Sequence, residues 1–241
     1  MVCNTGVSLT PVVNGEVHHF QARGLYNGLF LMWDRESESY WNHITGQSVY
    51  GPLAGTKLEV GNLLHTAVEQ ALAADPDLRV ALSDQMPQRR FGRRGRGGGR
   101  IRSFFDRVPV LRGAFRSTID KEDTRRPTMD IGLGVWADST ARYYAMEFVT
   151  AHDNMVLDEF QGRRLLVYRE PTSHVLVAQF TDATTAEWRD DELHLNTGEV
   201  IRKGVLFGAG GEKREVDYPQ QVFTRWYGFA LTFPGAEVYE P

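Results

Sequence analysis

The chain has 241 residues, with 27 Lys and Arg against 31 Asp and Glu, so its formal net charge is −4 at pH 7. Apolar residues make up 41% and charged residues 24% of the chain, which permits a packed core and excludes global disorder. A single cysteine excludes an internal disulfide and a zinc site built from cysteines alone. No apolar run reaches the ~18 residues of a membrane span, and the first residues do not resemble a signal peptide.

The first part of the chain is predicted to consist mainly of strands. Asn14-Gly15 favours a type I′ turn, which predicts a hairpin between residues 7–13 and residues 16–22. A short apolar run predicts a buried strand over residues 28–34. Further strand residues are expected over 41–49, around a Thr-Gly turn.

A helix is expected next. Asn62 is predicted to be its N-cap, and apolar residues at helical spacing follow as far as Leu72. Asp75-Pro76-Asp77 ends the pattern because proline does not continue a helix. A short strand is expected over residues 78–82.

The last part of the chain is also predicted to consist of short strands and one helix. Strands are predicted over residues 130–135, 141–148, 165–168 and 174–180, and a helix over residues 222–230. Many short strands with few helices indicate an α+β fold that is β-rich and mostly antiparallel, rather than a regular alternation of strands and helices.

Charge divides the chain into three predicted segments: residues 1–84, a connector over 85–127, and residues 128–241. Between Asp84 and Pro127 there are twelve arginines and one lysine against five acids. The glycine-rich centre, residues 88–100, is expected to pack little. Such a run either associates with nucleic acid or is a solvated loop, and the solvated loop is favoured, which makes a nucleic-acid partner unlikely.

The two outer segments contain similar short patterns in the same order. Asp34 and Trp41 correspond to Asp182 and Trp188, a Thr-Gly pair follows in each segment, and each ends with a helical pattern stopped by proline. This order predicts two related halves, with residues 28–80 equivalent to 176–238.

Several of these patterns resemble DUF3179, a family of uncharacterised proteins. In the first half they are Cys3-Asn4-Thr5-Gly6, residues 24–35 (GLYNGLFLMWDR), Trp41, Thr45-Gly46 and residues 51–55 (GPLAG); in the second half they are residues 131–135 (IGLGV), 141–145 (ARYYA) and 157–162 (LDEFQG). The resemblance implies no established activity. The first cysteine of the family's Cys-x-x-Cys pattern would fall immediately before Met1. Either Met1 is an internal start within a longer reading frame, which we expect, or the chain is a shortened relative of the family.

The family motif places three residues as candidates for a site in the first half. Cys3 is a candidate nucleophile or soft metal ligand, Asp34 a candidate base or ligand, and Asn27 a candidate substrate-orienting group, with Asn4, Thr5 and Trp41 as further substrate contacts. We expect Cys3, Asn27 and Asp34 to converge at one end of a sheet. The alternative is that Asp34 caps a turn and Trp41 fills the core.

A transition metal is the cofactor that these residue types would take. No histidine pair has the spacing of a self-contained zinc motif, so ligands would come from distant positions, with Cys3, His19 and His43 as the candidate set. His18 and His19 are expected to point to opposite faces of a strand, so only one of them faces such a site. A thiolate beside a carboxylate also requires a cation between them.

Two classes of function follow for this half of the chain. One is a metal- or thiol-dependent site around Cys3, Asn27 and Asp34, acting on a small molecule. The other is a non-catalytic binding or scaffold module, with a small molecule or a protein as its partner, in which the motif residues shape turns.

Overall fold

The computed structural model describes residues 6–79, 117–138 and 140–240. In these ranges the chain is a β-rich α+β protein with mostly antiparallel strands and few helices, which confirms the predicted fold class. Cys3, Asn4, Thr5 and the centre of the predicted connector, residues 88–100, lie outside the described residues. The division into three segments therefore stays a prediction, as does the nucleic-acid alternative.

The N-terminal part contains eight strands and one helix within the described residues. They are β1 (Val7–Thr10), β2 (Val12–Val13), β3 (Glu16–Val17), β4 (Phe20–Tyr26), β5 (Leu29–Asp34), β6 (Tyr40–Asn42), β7 (Ser48–Tyr50), β8 (Glu59–Asn62) and α1 (Val68–Ala74). Strands β4 to β7 form an antiparallel meander, while β1 pairs with β8 and β2 with β3.

The Asn14-Gly15 turn is present, but its hairpin is shorter than predicted. Both residues have positive φ, 51° and 85°, as a type I′ turn requires. Strands β2 and β3 pair over only two residues each, because β1 pairs with β8 and β4 pairs with β5 instead.

The helix of the N-terminal part begins later than predicted. Asn62 is not its N-cap, since Asn62 is the last residue of β8 and pairs with Val7. The helix begins after Ala67, whose backbone N–H donates to Gln70 Oε1 at 2.9 Å. Leu78 and Arg79 form no strand, and the rest of the predicted strand lies outside the described residues.

The C-terminal part contains eleven strands and two helices within the described residues. They are β9 (Ile131–Ala137), β10 (Thr140–Ala145), α2 (Met146–Ala151), β11 (Met155–Phe160), β12 (Arg163–Arg169), β13 (Leu176–Phe180), β14 (Ala186–Arg189), β15 (Glu192–Leu195), β16 (Val200–Arg202), β17 (Val205–Phe207), β18 (Gln220–Arg225), α3 (Trp226–Thr232) and β19 (Glu237–Val238). The sheets have the orders β18-β9-β10-β19, β11-β12-β13 and β14-β15-β16-β17.

Two predicted elements of this part change type partway along. The helix expected over residues 222–230 is wrong at its start, because Val222 and Phe223 belong to β18 and pair with Gly134 and Leu133 of β9. The strand expected over residues 141–148 ends at Ala145, where α2 begins. In both places a strand passes directly into a helix, so one apolar run supplies two elements.

The two parts share a hydrophobic core. Leu29 and Ile44 of the N-terminal part pack in one cluster with Trp136, Trp226 and Phe229 of the C-terminal part. Polar contacts reinforce this packing. The Asn62 side chain donates to Pro219 O at 2.7 Å and accepts from Gln221 N at 3.0 Å.

The predicted internal duplication is not established by these elements. The Thr45-Gly46 and Thr197-Gly198 pairs both lie in turns between antiparallel strands. The two tryptophans are not equivalent, however. Trp41 is fully buried on β6, an inner strand of its meander, whereas Trp188 is half-buried on β14, an edge strand.

Candidate functional site

The carboxylate of Asp34 is the most completely enclosed charge in the first meander. Asp34 is the last residue of β5 and is 0% exposed. The chain turns back after it, with Glu38 at a φ of 58°, and enters β6 at Tyr40. Ser37 and Ser39 lie in this turn, and the backbone N–H of each donates to the carboxylate, as does the Ser37 hydroxyl.

Both oxygens of Asp34 accept hydrogen bonds. Oδ1 accepts from Ser37 N at 2.7 Å and from His18 Nδ1 at 3.0 Å, and Oδ2 accepts from Trp41 Nε1 at 2.7 Å and from Ser39 N at 3.2 Å. The Ser37 hydroxyl lies within 2.8 Å of both oxygens. Burial alone would raise the pKa of Asp34, but the donors from Ser37, Trp41 and His18 together hold it at about 2.

His18 is positioned by this carboxylate. It is 7% exposed, and its backbone N–H donates to Pro11 O at 2.8 Å. Because an ionised carboxylate only accepts hydrogen bonds, Nδ1 carries the proton in this contact. The described residues supply no hydrogen bond to Nε2, so the second ring nitrogen is left for a proton or a ligand.

One potential metal-binding cluster occurs among the described residues. One ligand atom each from His18, Asp34 and Glu36 lies within 4.8 Å of the other two. Glu36 accepts from the backbone N–H of His19 at 2.7 Å and from His19 Nδ1 at 2.8 Å, and these bonds lower the pKa of the Glu36 carboxyl.

The structure places His18, rather than His19, beside Asp34. His19 is 74% exposed, and its Nδ1 contacts Glu36 rather than Asp34. Strand register makes the difference, because Phe20 pairs with Asp34, so the side chain two residues before Phe20 continues on the same face. His18 was therefore missed by sequence reasoning, which recognised that only one of the two could face the site but could not fix this register.

Asn27 and His43, two other predicted site residues, lie elsewhere. Asn27 is in the β4–β5 turn, at the opposite end of β5 from Asp34, so the two are about 20 Å apart at the usual rise of a strand. Their predicted convergence is wrong, because residues that flank one strand lie at its two ends. Asn27 Oδ1 instead accepts from Asp120 N at 3.0 Å. His43 Nδ1 donates to Phe30 O at 2.8 Å, which keeps it outside the described cluster.

Trp41 fills the core, as the scaffold alternative expected, and its role as a substrate contact stays a prediction. Its ring is buried with Val13 and Leu58 and makes an edge-on contact with Phe20, while its indole N–H binds Asp34. As a chemical unit, the arrangement is a carboxylate that stays ionised down to acidic pH and that fixes the orientation and tautomer of one histidine.

The comparison with known proteins identifies the family. The family model for DUF3179, described as a protein of unknown function, matches residues 1–229 of the 241-residue chain. The chain therefore belongs to the DUF3179 family. No curated protein and no solved structure matches it.

The helices of the described ranges are all short, and none has the length and apolar character needed to cross a membrane.

Proposed function

We propose that the N-terminal half of this DUF3179 protein holds a transition-metal ion through Nε2 of His18, with Asp34 as the positioning carboxylate. The observation that carries the proposal is the buried contact from His18 Nδ1 to Asp34 Oδ1 at 3.0 Å. Histidines that bind metals commonly donate their other ring N–H to a carboxylate, which fixes the tautomer and makes the ligating nitrogen more basic.

Asp34 is better suited to positioning His18 than to binding the ion itself. A carboxylate has about four lone-pair positions. Four N–H groups already occupy Asp34, and the Ser37 hydroxyl adds a fifth donor. A metal could reach these oxygens only by displacing a donor, and each buried donor left unpaired would cost about 1–3 kcal/mol.

Cys3 remains the sequence-based candidate for a second ligand, and Glu36 for a third. Thiolate and imidazole are ligands that zinc and related metals prefer. Glu36 is 30% exposed, so its carboxylate has room to turn toward an ion. A cation in this position would also remove the repulsion between a thiolate and two carboxylates. With an open coordination position, the ion would act as a Lewis acid or activate a water molecule.

Zinc binding to the full chain tests this proposal. We expect calorimetry to show stoichiometric binding to the wild type and at least tenfold weaker binding to His18→Gln. His152→Gln is the control, since it removes an exposed imidazole that lies outside the cluster of His18, Asp34 and Glu36, and it should retain the wild-type affinity. Cys3→Ser and Glu36→Gln test the two further ligands. Equal affinity of the wild type and His18→Gln would contradict the proposal.

A non-catalytic scaffold module is the second candidate. The observation in its favour is that the Asp34 network already satisfies its own donors and closes the turn between β5 and β6 without any ligand. On this alternative, His18→Gln would lower stability, and the wild type would bind no metal. Measuring thermal stability together with zinc binding therefore separates the two functions.

A further inference from the structure

A cleft lies in the C-terminal half of the chain, away from the site around His18 and Asp34. It has a volume of about 650 Å³ and opens between the ends of β11 and β12 and the β14–β15 hairpin. Arg169 and Trp188 line it together with carboxylates from the adjoining turns. The volume falls within the range of small-molecule sites, which is roughly 300–1,000 Å³.

Two donors in the wall of the cleft have no acceptor. Arg169 Nε and Trp188 Nε1 are both buried, and neither makes a hydrogen bond. Arg169 Nη1 makes one long contact, 3.5 Å to Asn154 Oδ1. A buried donor without a partner costs about 1–3 kcal/mol. A bound ligand that accepts hydrogen bonds from both donors would remove this cost.

Arg169 shares the cleft with four carboxylates and pairs with none of them. The carboxylates that line the cleft are those of Asp153, Glu187, Asp190 and Asp191. None of the ion pairs among the described residues involves Arg169. Glu187 is paired with Arg189. The other three acids give the lining of the cleft an excess of negative charge beside a single guanidinium.

We propose that this cleft binds a zwitterionic amino acid with a cationic side chain. The ligand's carboxylate lies against Arg169 and the indole N–H of Trp188, which matches the planar donor geometry of a guanidinium. Its ammonium groups lie among Asp153, Asp190 and Asp191, and the Trp188 ring offers a further favourable face to a cation. Arg169 Nε and Trp188 Nε1 are buried, so both side chains must shift before they can donate hydrogen bonds to the ligand.

Calorimetric titration of the full chain with L-lysine, cadaverine and L-glutamate tests this inference. We expect L-lysine to bind saturably. Cadaverine, which lacks the carboxylate, and L-glutamate, which adds a negative charge, should each bind at least tenfold more weakly. Arg169→Gln should weaken L-lysine at least tenfold and change cadaverine less than twofold, because it removes only the carboxylate's partner.

Two further variants keep the test independent of folding. Asp191→Asn alters an exposed turn residue and should weaken both L-lysine and cadaverine several-fold. Arg164→Gln alters an exposed arginine outside this cleft and should leave L-lysine binding unchanged. The inference is overturned if L-lysine shows no saturable binding to the wild type, or if Arg169→Gln and Asp191→Asn both bind it as the wild type does. Neither result depends on the metal proposal, since His18 lies outside the cleft.

Discussion

His18 donates from Nδ1 to Asp34 Oδ1 at 3.0 Å, and the two side chains are 7% and 0% exposed. The pair joins the segment before β4 to the last residue of β5, so it links two places 16 residues apart in the chain. A buried carboxylate without donors would neutralise itself, whereas this one is held ionised by backbone, hydroxyl, indole and imidazole donors.

Asp34→Asn should destabilise the protein strongly. The amide places an NH₂ group where the carboxylate accepts from Ser37, Ser39, Trp41 or His18, so at least one buried donor loses its partner. We expect a loss of about 3 kcal/mol in the free energy of unfolding by urea denaturation. Glu36→Gln, in the same turn but exposed to solvent, should cost far less, because solvent screens its contacts. Similar losses for the two variants would show that the Asp34 network is not a main support of the turn.

The same carboxylate predicts how stability depends on pH. The folded state lowers the pKa of Asp34 from 3.8 to about 2, so the unfolded chain binds this proton more readily. The stabilisation is complete above pH 5 and is lost as pH falls through the folded pKa, a total of about 2 kcal/mol. Unfolding free energies of wild type and Asp34→Asn, measured from pH 6 to pH 2, should converge on acidification. Parallel curves would contradict this assignment.

Gly134 on β9 should not tolerate a side chain. A Cβ at this position would collide with the ring of Phe229, which packs across the sheet from α3. We expect Gly134→Ala to cost at least about 2 kcal/mol by denaturation, because the ring or the helix would have to move. Gly61→Ala on β8 is the matched control: its Cβ would meet only Ser8, at an ordinary 3.5 Å, and it should be near neutral. An equal effect at both glycines would argue against the Phe229 contact.

Tyr144 and Asp158 should be energetically coupled. Tyr144 donates its hydroxyl to Asp158 Oδ2 at 2.6 Å, and Arg142 forms an ion pair with the same carboxylate. A double-mutant cycle of Tyr144→Phe and Asp158→Asn should give a coupling of about 1–2 kcal/mol. The adjacent Tyr143 donates to backbone carbonyls instead, so Tyr143→Phe should show no coupling with Asp158→Asn. Coupling of the same size in both cycles would point to a general packing effect.

The features that the sequence predicted correctly depend on local chemistry. Asn14-Gly15 forms its turn because both residues accept positive φ, and the run ending at Asp34 is a strand because of its apolar character. The β-rich class follows from many such short runs. Residues 222–225 were misassigned because apolar side chains there belong to a strand paired with β9 that passes directly into α3 at Trp226, a choice set by tertiary pairing rather than by periodicity.

The candidate site was predictable only in part. Asp34 and Trp41 stand out in the family pattern, and they do contact each other. The choice between His18 and His19 depends on the pairing of Phe20 with Asp34, which is a long-range register that no local pattern encodes. The separation of Asn27 from Asp34 depends on the same hairpin.

Ring-nitrogen NMR of His18 during a zinc titration tests the central claim most directly. In the free protein, the account predicts a proton on Nδ1 of His18, since that nitrogen faces the Asp34 carboxylate. Addition of one equivalent of Zn²⁺ should shift the Nε2 resonance of His18 and leave its Nδ1–H in place, while the nitrogens of His152, an exposed histidine outside the cluster, remain unchanged. Metal binding at Nδ1, or a zinc titration that leaves both His18 nitrogens unshifted, would contradict the account.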